Sequence, residues 1–189
     1  MKTLFLLAIF LSPTITFAYS ELGSFNSILI DPAHGGKDPG GIGIDNLKEK
    51  TLTLNFSKQL AEKLQSKFYI KLLRNDDTYI SYNKRSQVNV PNNVLKVIIH
   101  TPVSDNLNDN GLSIEINPKF RTKDEIKKIL HNNNLNAVIH ENSTLPLNTI
   151  FMDIGYISNK DDIKIITNSH YQQAIAQFIK KISSKPSES

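Results

Sequence analysis

The stretch Ile28-Leu29-Ile30-Asp31-Pro32-Ala33-His34-Gly35-Gly36 determines how the rest of this 189-residue chain is interpreted. Its first part is apolar and rich in β-branched residues, and it ends at a proline and two glycines. This composition predicts a buried strand over residues 27–31. The glycines permit a sharp turn directly after the strand and leave the imidazole of His34 unobstructed. The pattern therefore predicts a histidine held at the end of a rigid element.

Two more polar side chains occupy comparable positions. Glu49 lies at the predicted start of a helix, within Leu47-Lys48-Glu49-Lys50, and His100 ends the apolar strand Val97-Ile98-Ile99. Two histidines and one carboxylate at the ends of rigid elements suit a zinc site with three protein ligands and one open position. Taken singly, each residue has an ordinary explanation: a hydrogen-bonded histidine in a turn, or a carboxylate favoured by the helix dipole. Because they occur together, we expect them to converge on one metal ion.

Predicted strands and helices alternate along most of the chain. Residues 111–117 alternate between apolar and polar, which is typical of a strand with one solvated side, and we expect this strand at an edge of the sheet. The pattern predicts an α/β fold: a single domain with a twisted, mostly parallel sheet flanked by helices on both faces. The other predicted elements are a helix over 49–67, a strand over 68–73, a helix of about two turns capped by Ser81, a strand over 95–99, a helix over 122–132, a strand over 148–154 and a helical region from Asn159 onward.

The N-terminal residues predict export. An apolar run over residues 4–11, followed by small residues over 16–18, fits a secretory signal peptide over residues 1–18, which is too short for a membrane span. A retained N-terminal anchor is the alternative. We expect a catalytic domain over 27–183 without a membrane span, a disordered tail over 184–189, and a periplasmic or extracellular location.

The composition narrows the classes of partner and ligand. The chain has 22 Lys and Arg against 18 Asp and Glu, a net charge of +4 that falls to +3 when Lys2 is removed with the signal peptide. The basic residues are scattered among acidic ones and form no stripe with aromatic residues, which argues against nucleic acid as a partner. The chain contains no cysteine. Any metal ligands must therefore be His, Asp or Glu, and the exported fold must rely on its core rather than on disulfides.

Other polar residues near strand ends could also take part in chemistry. Asp153 is an acid in an otherwise apolar strand, and because burying an unpaired carboxylate is costly we expect it to have a partner or to face a cavity. A general base beside a zinc-bound water would meet that requirement. Asp31 could orient His34, or it could serve only the strand end. His140 and Glu141 form a rival acid–base pair, although neighbouring residues of a strand point to opposite faces.

Four segments follow one another in a fixed order: 28–40, 47–50, 98–100 and 145–159. In this order they resemble the zinc-dependent N-acetylmuramoyl-L-alanine amidases of the amidase-3 type, which are cell-wall hydrolases. The similarity runs from Ile28 to the last helix. Four ordered segments are far more specific than any one of them.

The resemblance implies both a ligand set and a reaction. His34, Glu49 and His100 would bind one Zn²⁺, and Asp153 would stand where the family has its catalytic glutamate. The reaction would be hydrolysis of the amide between the lactyl group of N-acetylmuramic acid and the L-alanine of the stem peptide. The implied partner is peptidoglycan or a muropeptide, with a protein activator left unidentified.

Three departures from the family pattern bear on activity. Aspartate at position 153 is one methylene shorter than glutamate, and a deficit of about 1 Å in reach can cost on the order of a hundredfold in rate unless the strand shifts to compensate. Thr101 and Pro102 follow His100 where the family has Ala and then Asn or Asp, so the site could lack a supporting hydrogen-bond partner. The short stretch after His100 leaves little room for the long autoinhibitory insertion of some members.

These departures keep two other interpretations open. One is a catalytically impaired protein of the same fold that binds the cell wall or regulates other hydrolases. The other is a different exported zinc hydrolase, such as a carboxypeptidase. We favour the amidase because all three metal positions match the family pattern.

Overall fold

The computed structural model describes residues 24–184, so the predicted signal peptide (1–18) and the last five residues of the predicted tail lie outside the described range. Six strands, five α-helices and one short 3-10 helix (Ile44–Asn46) lie within that range. The strands are β1 (Ser27–Pro32), β2 (Tyr69–Leu72), β3 (Val94–His100), β4 (Leu112–Ile116), β5 (Ala137–Glu141) and β6 (Thr149–Asp153). The helices are α1 (Glu49–Leu64), α2 (Tyr82–Ser86), α3 (Lys123–His131), α4 (Lys160–Ile166) and α5 (Ser169–Ile182).

The six strands form one sheet in the order β2-β1-β3-β6-β4-β5. Four of the five neighbouring pairs are parallel, and only β4 and β6 run antiparallel. The carboxyl ends of β1, β3 and β6 therefore meet at the same edge of the sheet. The predicted α/β domain with a mostly parallel sheet is confirmed.

The prediction that residues 111–117 form an edge strand is wrong. The alternation itself is present, because Leu112, Ile114 and Ile116 are buried while the residues between them are half-buried. However, β4 lies between β6 and β5, and the edges of the sheet are β2 and β5. The polar side of β4 reflects a cavity lined by Glu115, rather than an open edge.

Four of the helices pack together on one face of the sheet, where α5 contacts α1, α3 and α4. They cover the apolar core, which includes Ile30, Val97, Ile114 and Ile150 from the central strands. The short α2 lies over the opposite face, so helices flank both faces but very unequally. Among the helices of residues 24–184, none has the length and apolar character of a membrane span.

Side-chain caps explain where several helices begin. Thr122 forms a capping box with Glu125 at the start of α3. The predicted helical region from Asn159 consists of two helices, because Asn159 caps α4 and Asn168 caps α5. Ser81 accepts a bond from the N–H of Lys84, as expected of a cap, but α2 has only five residues instead of about two turns.

The interior position of β4 predicts a large cost for truncating its core side chain. We expect Ile114→Ala, at a fully buried position, to lower the free energy of unfolding by about 2–5 kcal/mol. The matched control is Val138→Ala on the edge strand β5, where the side chain is exposed and the loss should stay within about 0.5 kcal/mol. Urea unfolding of both variants measures the difference, and equal losses would contradict the burial assigned to Ile114.

Candidate metal centre

The fold brings together the three side chains that the sequence singles out. His34 follows β1, His100 ends the neighbouring parallel strand β3, and Glu49 begins α1. One nitrogen or oxygen atom of each residue lies within 4.8 Å of those of the other two. The predicted convergence of these three residues is therefore confirmed, whereas their role as ligands is taken up below as a proposal.

The Glu49 carboxylate lies between the two imidazoles and is only 4% exposed. Its Oε2 is 3.1 Å from Nε2 of His34, and its Oε1 is 3.0 Å from Nδ1 of His100. The backbone N–H of Gly41 donates to Oε2 at 2.9 Å, and that of Thr101 donates to Oε1 at 3.0 Å. Burial raises the pKa of Glu49, but the hydrogen bonds from the two histidines and the two N–H groups outweigh it and hold the pKa well below its usual value. The carboxylate is therefore ionised at neutral pH.

His34 is oriented by a second carboxylate. Its Nδ1 lies 2.9 Å from Oδ2 of Asp38, which leaves Nε2 directed at Glu49. The hydrogen bond with Glu49 raises the pKa of His34; burial opposes that rise and Asp38 adds to it. Metal-binding histidines usually have one ring nitrogen bonded to a carboxylate, as Nδ1 of His34 is bonded to Asp38, and use the other nitrogen for the metal.

The backbone of His34 is in the left-handed region at φ +60°. Such a conformation costs a non-glycine residue roughly 1–3 kcal/mol. It directs the side chain back across the end of the sheet toward Glu49. Strain at this position is consistent with a side chain that is held in place by its surroundings.

Gly40 closes the other side of the cluster, and nothing larger fits there. A Cβ at this position would lie 2.4 Å from Cδ2 of His34 and 2.8 Å from Oε2 of Glu49, and the backbone has φ +66°. Its neighbour Gly41 supplies one of the N–H groups to Glu49. Reasoning from the sequence did not assign these glycines to the site, although three glycines between residues 37 and 46 were the available signal.

Asp153 is placed beside the cluster by strand pairing. It is the register partner of His100 across β3 and β6, so the two side chains share one face of the sheet. Burial raises the pKa of Asp153; the carboxylates of Glu49 and Glu115 add to this and the charge of His100 opposes it. Among the described residues, the Asp153 carboxylate makes no hydrogen bond or ion pair, so the expectation that it has a partner or faces a cavity stays a prediction.

The rival pair His140–Glu141 does not face one site. In the register of β4 and β5, His140 lies beside Glu115, which lines the cavity, whereas Glu141 lies beside the buried Ile116. Their side chains therefore point to opposite faces of the sheet. Only His140 shares the face that carries Asp153.

A cavity of about 590 Å³ begins at His34 and His100 and continues along the sheet beneath α2. Phe151, whose ring stacks on that of His100 with centroids 4.8 Å apart, forms part of its floor. Lys96 and Glu115 place opposite charges on its lining. The cluster of His34 and His100 therefore opens onto a cavity that could hold a ligand of appreciable size, and the cavity is lined by both apolar and charged groups.

The comparisons with known proteins identify the family. The family model for N-acetylmuramoyl-L-alanine amidase, amidase type 3, matches residues 28–182. The chain belongs to the amidase-3 family. It is 35% identical over 131 residues to a Haemophilus influenzae protein named "Probable N-acetylmuramoyl-L-alanine amidase AmiB", a match over 67% of this chain and 29% of the relative. The chain spans half or less of the length of the first curated relatives that it matches.

Solved structures show the same fold at low sequence identity. AmiC2, an N-acetylmuramoyl-L-alanine amidase of Nostoc punctiforme, aligns with a TM-score of 0.64 and 24% identity over 85% of this chain and 97% of that one. The CwlD amidase of Clostridioides difficile, solved in complex with the GerS lipoprotein, aligns with a TM-score of 0.61 and 20% identity over 82% of this chain and 94% of that one. The amidase-3 fold therefore extends over nearly the whole described range.

Thr101, at the position where the sequence led us to expect a missing hydrogen-bond partner, does not leave Glu49 without support. Its backbone N–H donates to the carboxylate, a contact that does not depend on the side chain at this position. The Thr101 hydroxyl is itself buried and makes no hydrogen bond among the described residues. The short stretch that follows runs through a loop directly into β4, without an inserted helix.

The raised pKa of His34 predicts a pH-dependent contribution to the stability of the metal-free protein. A histidine whose pKa is higher in the folded state contributes stability that is fully present below its unfolded pKa, about 6.5, and is lost as pH rises through the folded value. We therefore expect His34→Gln to destabilise the chelator-treated protein more at about pH 5.5 than at about pH 8.5. Urea unfolding at the two pH values measures this.

The exposed His170 on α5 offers the matched control. His170→Gln, at an exposed position, should change the free energy of unfolding by no more than about 0.5 kcal/mol. A larger effect of His34→Gln at the higher pH would contradict the assigned sign.

Proposed function

We propose that this chain is a zinc-dependent peptidoglycan amidase, which hydrolyses the amide between the lactyl group of N-acetylmuramic acid and the L-alanine of the stem peptide. The observation that carries the proposal is the convergence of His34, Glu49 and His100 at the carboxyl ends of β1 and β3. Asp153 is paired in register beside His100. Membership of the amidase-3 family supports the substrate class.

The donor set suits zinc. Two imidazoles and one carboxylate are the ligands of many catalytic zinc sites, which keep a fourth position for water or substrate. Glu49 is ionised and Asp38 fixes the orientation of the His34 ring, so both groups are prepared for a cation before it binds. A divalent cation would also relieve the burial of negative charge between the two histidines.

Zinc held by these residues would polarise the scissile carbonyl and acidify the attacking water. Asp153 would accept the proton of that water as its oxygen bonds to the carbonyl carbon. It would then return the proton to the L-alanine nitrogen as the carbon–nitrogen bond breaks. Burial raises the pKa of Asp153, which brings its proton affinity closer to the working range of a general base than that of a solvated aspartate.

The substrate also defines a location and a class of partner. Because peptidoglycan lies outside the cytoplasmic membrane, we propose that the protein is exported to the periplasm or beyond the cell. The CwlD amidase was solved together with a lipoprotein, which supports a protein partner for this chain as well. We assign that partner no identity.

The metal assignment predicts the metal content of purified variants. We expect the wild-type protein to retain about one zinc per chain, and His34→Ala or Glu49→Ala to retain none, because each leaves only two ligands. Asp153→Ala is the control, since it should keep the metal and lose hydrolysis. Elemental analysis beside circular dichroism measures both; full zinc retention by folded Glu49→Ala would refute the ligand set.

The base assignment predicts how a muropeptide digest changes. Products separated by chromatography and identified by mass should show peptide released from the lactyl group by the wild type, and none by Asp153→Ala. Binding without release would favour the catalytically impaired interpretation, and new free alanine carboxylates would favour a carboxypeptidase. Asp153→Ala that cleaves at the wild-type rate would remove Asp153 from the mechanism.

Asp153→Glu tests the shorter side chain directly. If the missing methylene limits catalysis, the restored reach should increase the hydrolysis rate by up to about a hundredfold at unchanged zinc content. The same digest measures the rate. A lower rate would mean that the site is adapted to aspartate.

A further inference from the structure

Two arginines hold the backbone that carries His34. Arg74 donates from Nε to the Pro32 carbonyl at 3.0 Å and from Nη2 to the Ala33 carbonyl at 2.8 Å. Arg85 donates from Nη1 to the Pro32 carbonyl at 2.9 Å and from Nη2 to the His34 carbonyl. Three successive carbonyl groups thus receive guanidinium donors, and we call this set of contacts the arginine clasp.

The clasp lies where sheet hydrogen bonding stops. The N–H of Ala33 makes the last bond to β3, on the Ile99 carbonyl, and three residues with positive φ, His34, Gly35 and Gly36, then lead the chain away. Carbonyl groups buried beyond the end of a strand need donors from elsewhere. Arg74, which is 3% exposed, supplies them from within the protein.

The clasp also connects the His34 turn to the helix that carries Glu49. Nη2 of Arg74 donates to the carbonyl of Lys50, in the first turn of α1, at 2.7 Å. One guanidinium group therefore contacts the segments next to both His34 and Glu49. A displacement of either segment would break bonds to the other.

Arg85 is anchored on its other side by a buried acid. Asp31 is 2% exposed and forms an ion pair with Nη1 of Arg85. Nε of Arg85 donates to the carbonyl of Ile80 at 3.0 Å. Asp31 lies in the strand before His34 and contacts Arg85, which in turn donates to the His34 carbonyl. Asp31 is therefore linked to the His34 turn through Arg85.

We propose that Arg74 and Arg85 are positioning residues that set the metal affinity of the centre by fixing the His34 turn, with Asp31 anchoring Arg85. The inference rests on the proposed zinc function of the site. Lysine cannot replace either residue, because an ammonium group does not provide several donors in a fixed planar fork. The prediction is thus a loss of affinity even when the positive charge is kept.

The chain offers a matched control for this test. Arg121 is 7% exposed, and its guanidinium also donates to backbone carbonyls, those of Ile182 and Ser184 at the end of α5. It contacts no residue of the metal centre. Arg121→Lys therefore removes a similar buried clasp without changing the His34 turn.

Competition with a chelator measures the zinc dissociation constant, and the melting temperature of the chelator-treated protein measures stability. We expect Arg74→Lys and Arg85→Lys to raise the dissociation constant about tenfold to a hundredfold, the usual effect of losing a group that orients a metal ligand. Arg121→Lys should lower the melting temperature but leave the dissociation constant within about twofold. Wild-type zinc affinity in Arg85→Lys, or an equal loss in Arg121→Lys, would overturn the inference.

Asp31→Asn tests the same proposal with the guanidinium groups retained, and it decides the question if either lysine variant fails to fold. It should raise the zinc dissociation constant by removing the anchor of Arg85, and an unchanged constant would overturn the inference. The proposed function fails separately. Wild-type protein that bound no zinc would overturn that function, whereas a tight-binding wild type with equally tight clasp variants would overturn only the positioning role.

Discussion

The organisation of the candidate metal centre depends on burying the ionised carboxylate of Glu49. Removing such a group from water costs several kcal/mol in a protein interior. Here the cost is offset by four hydrogen bonds, two from imidazoles and two from backbone N–H groups, and charge-assisted bonds of this kind are stronger than neutral ones. The two bonds from the backbone N–H groups hold the carboxylate in place without using the imidazole nitrogens that a metal ion would need.

The two N–H groups that donate to Glu49 must be held in position by the loops that carry them. Gly41 and Thr101 lie on different loops, and the segment after β6 braces both. Ile157 donates its N–H to the Pro102 carbonyl at 2.9 Å, and its own carbonyl accepts from the N–H of Ile44 at 3.3 Å. The segment over residues 155–159 thus supports the two loops that carry the Glu49 donors.

Local patterns in the sequence were sufficient to predict the elements that position the three residues of the candidate site. The apolar run before His34, the helix start at Glu49 and the strand before His100 each report on a few neighbouring residues, and parallel strands then bring their ends to one edge. The place of β4 could not be obtained in this way. Its alternation shows which face of the strand is polar. An edge strand exposed to solvent and an interior strand that faces a cavity produce the same alternation.

The contributions of Gly40 and the two clasp arginines were hidden for a related reason. A glycine in a loop has many explanations, and only its approach to the His34 ring shows that a side chain is excluded. Arg74 and Arg85 are 40 and 51 residues from His34 in the sequence and contact the His34 turn through its backbone atoms, which carry no signature of residue type. Such contacts follow from the assembled fold and not from any local pattern.

The same rigidity bears on the aspartate at position 153. Its strand, β6, lies in the interior of the sheet and is bonded to β3 on one side and to β4 on the other. Directly after it, the N–H of Ile154 donates to the His100 carbonyl at 3.0 Å, which ties the end of β6 to the end of β3. A strand held on both sides fixes the position of Asp153 relative to His100. Under the proposed mechanism, the attacking water must therefore lie within reach of this aspartate as the strand holds it.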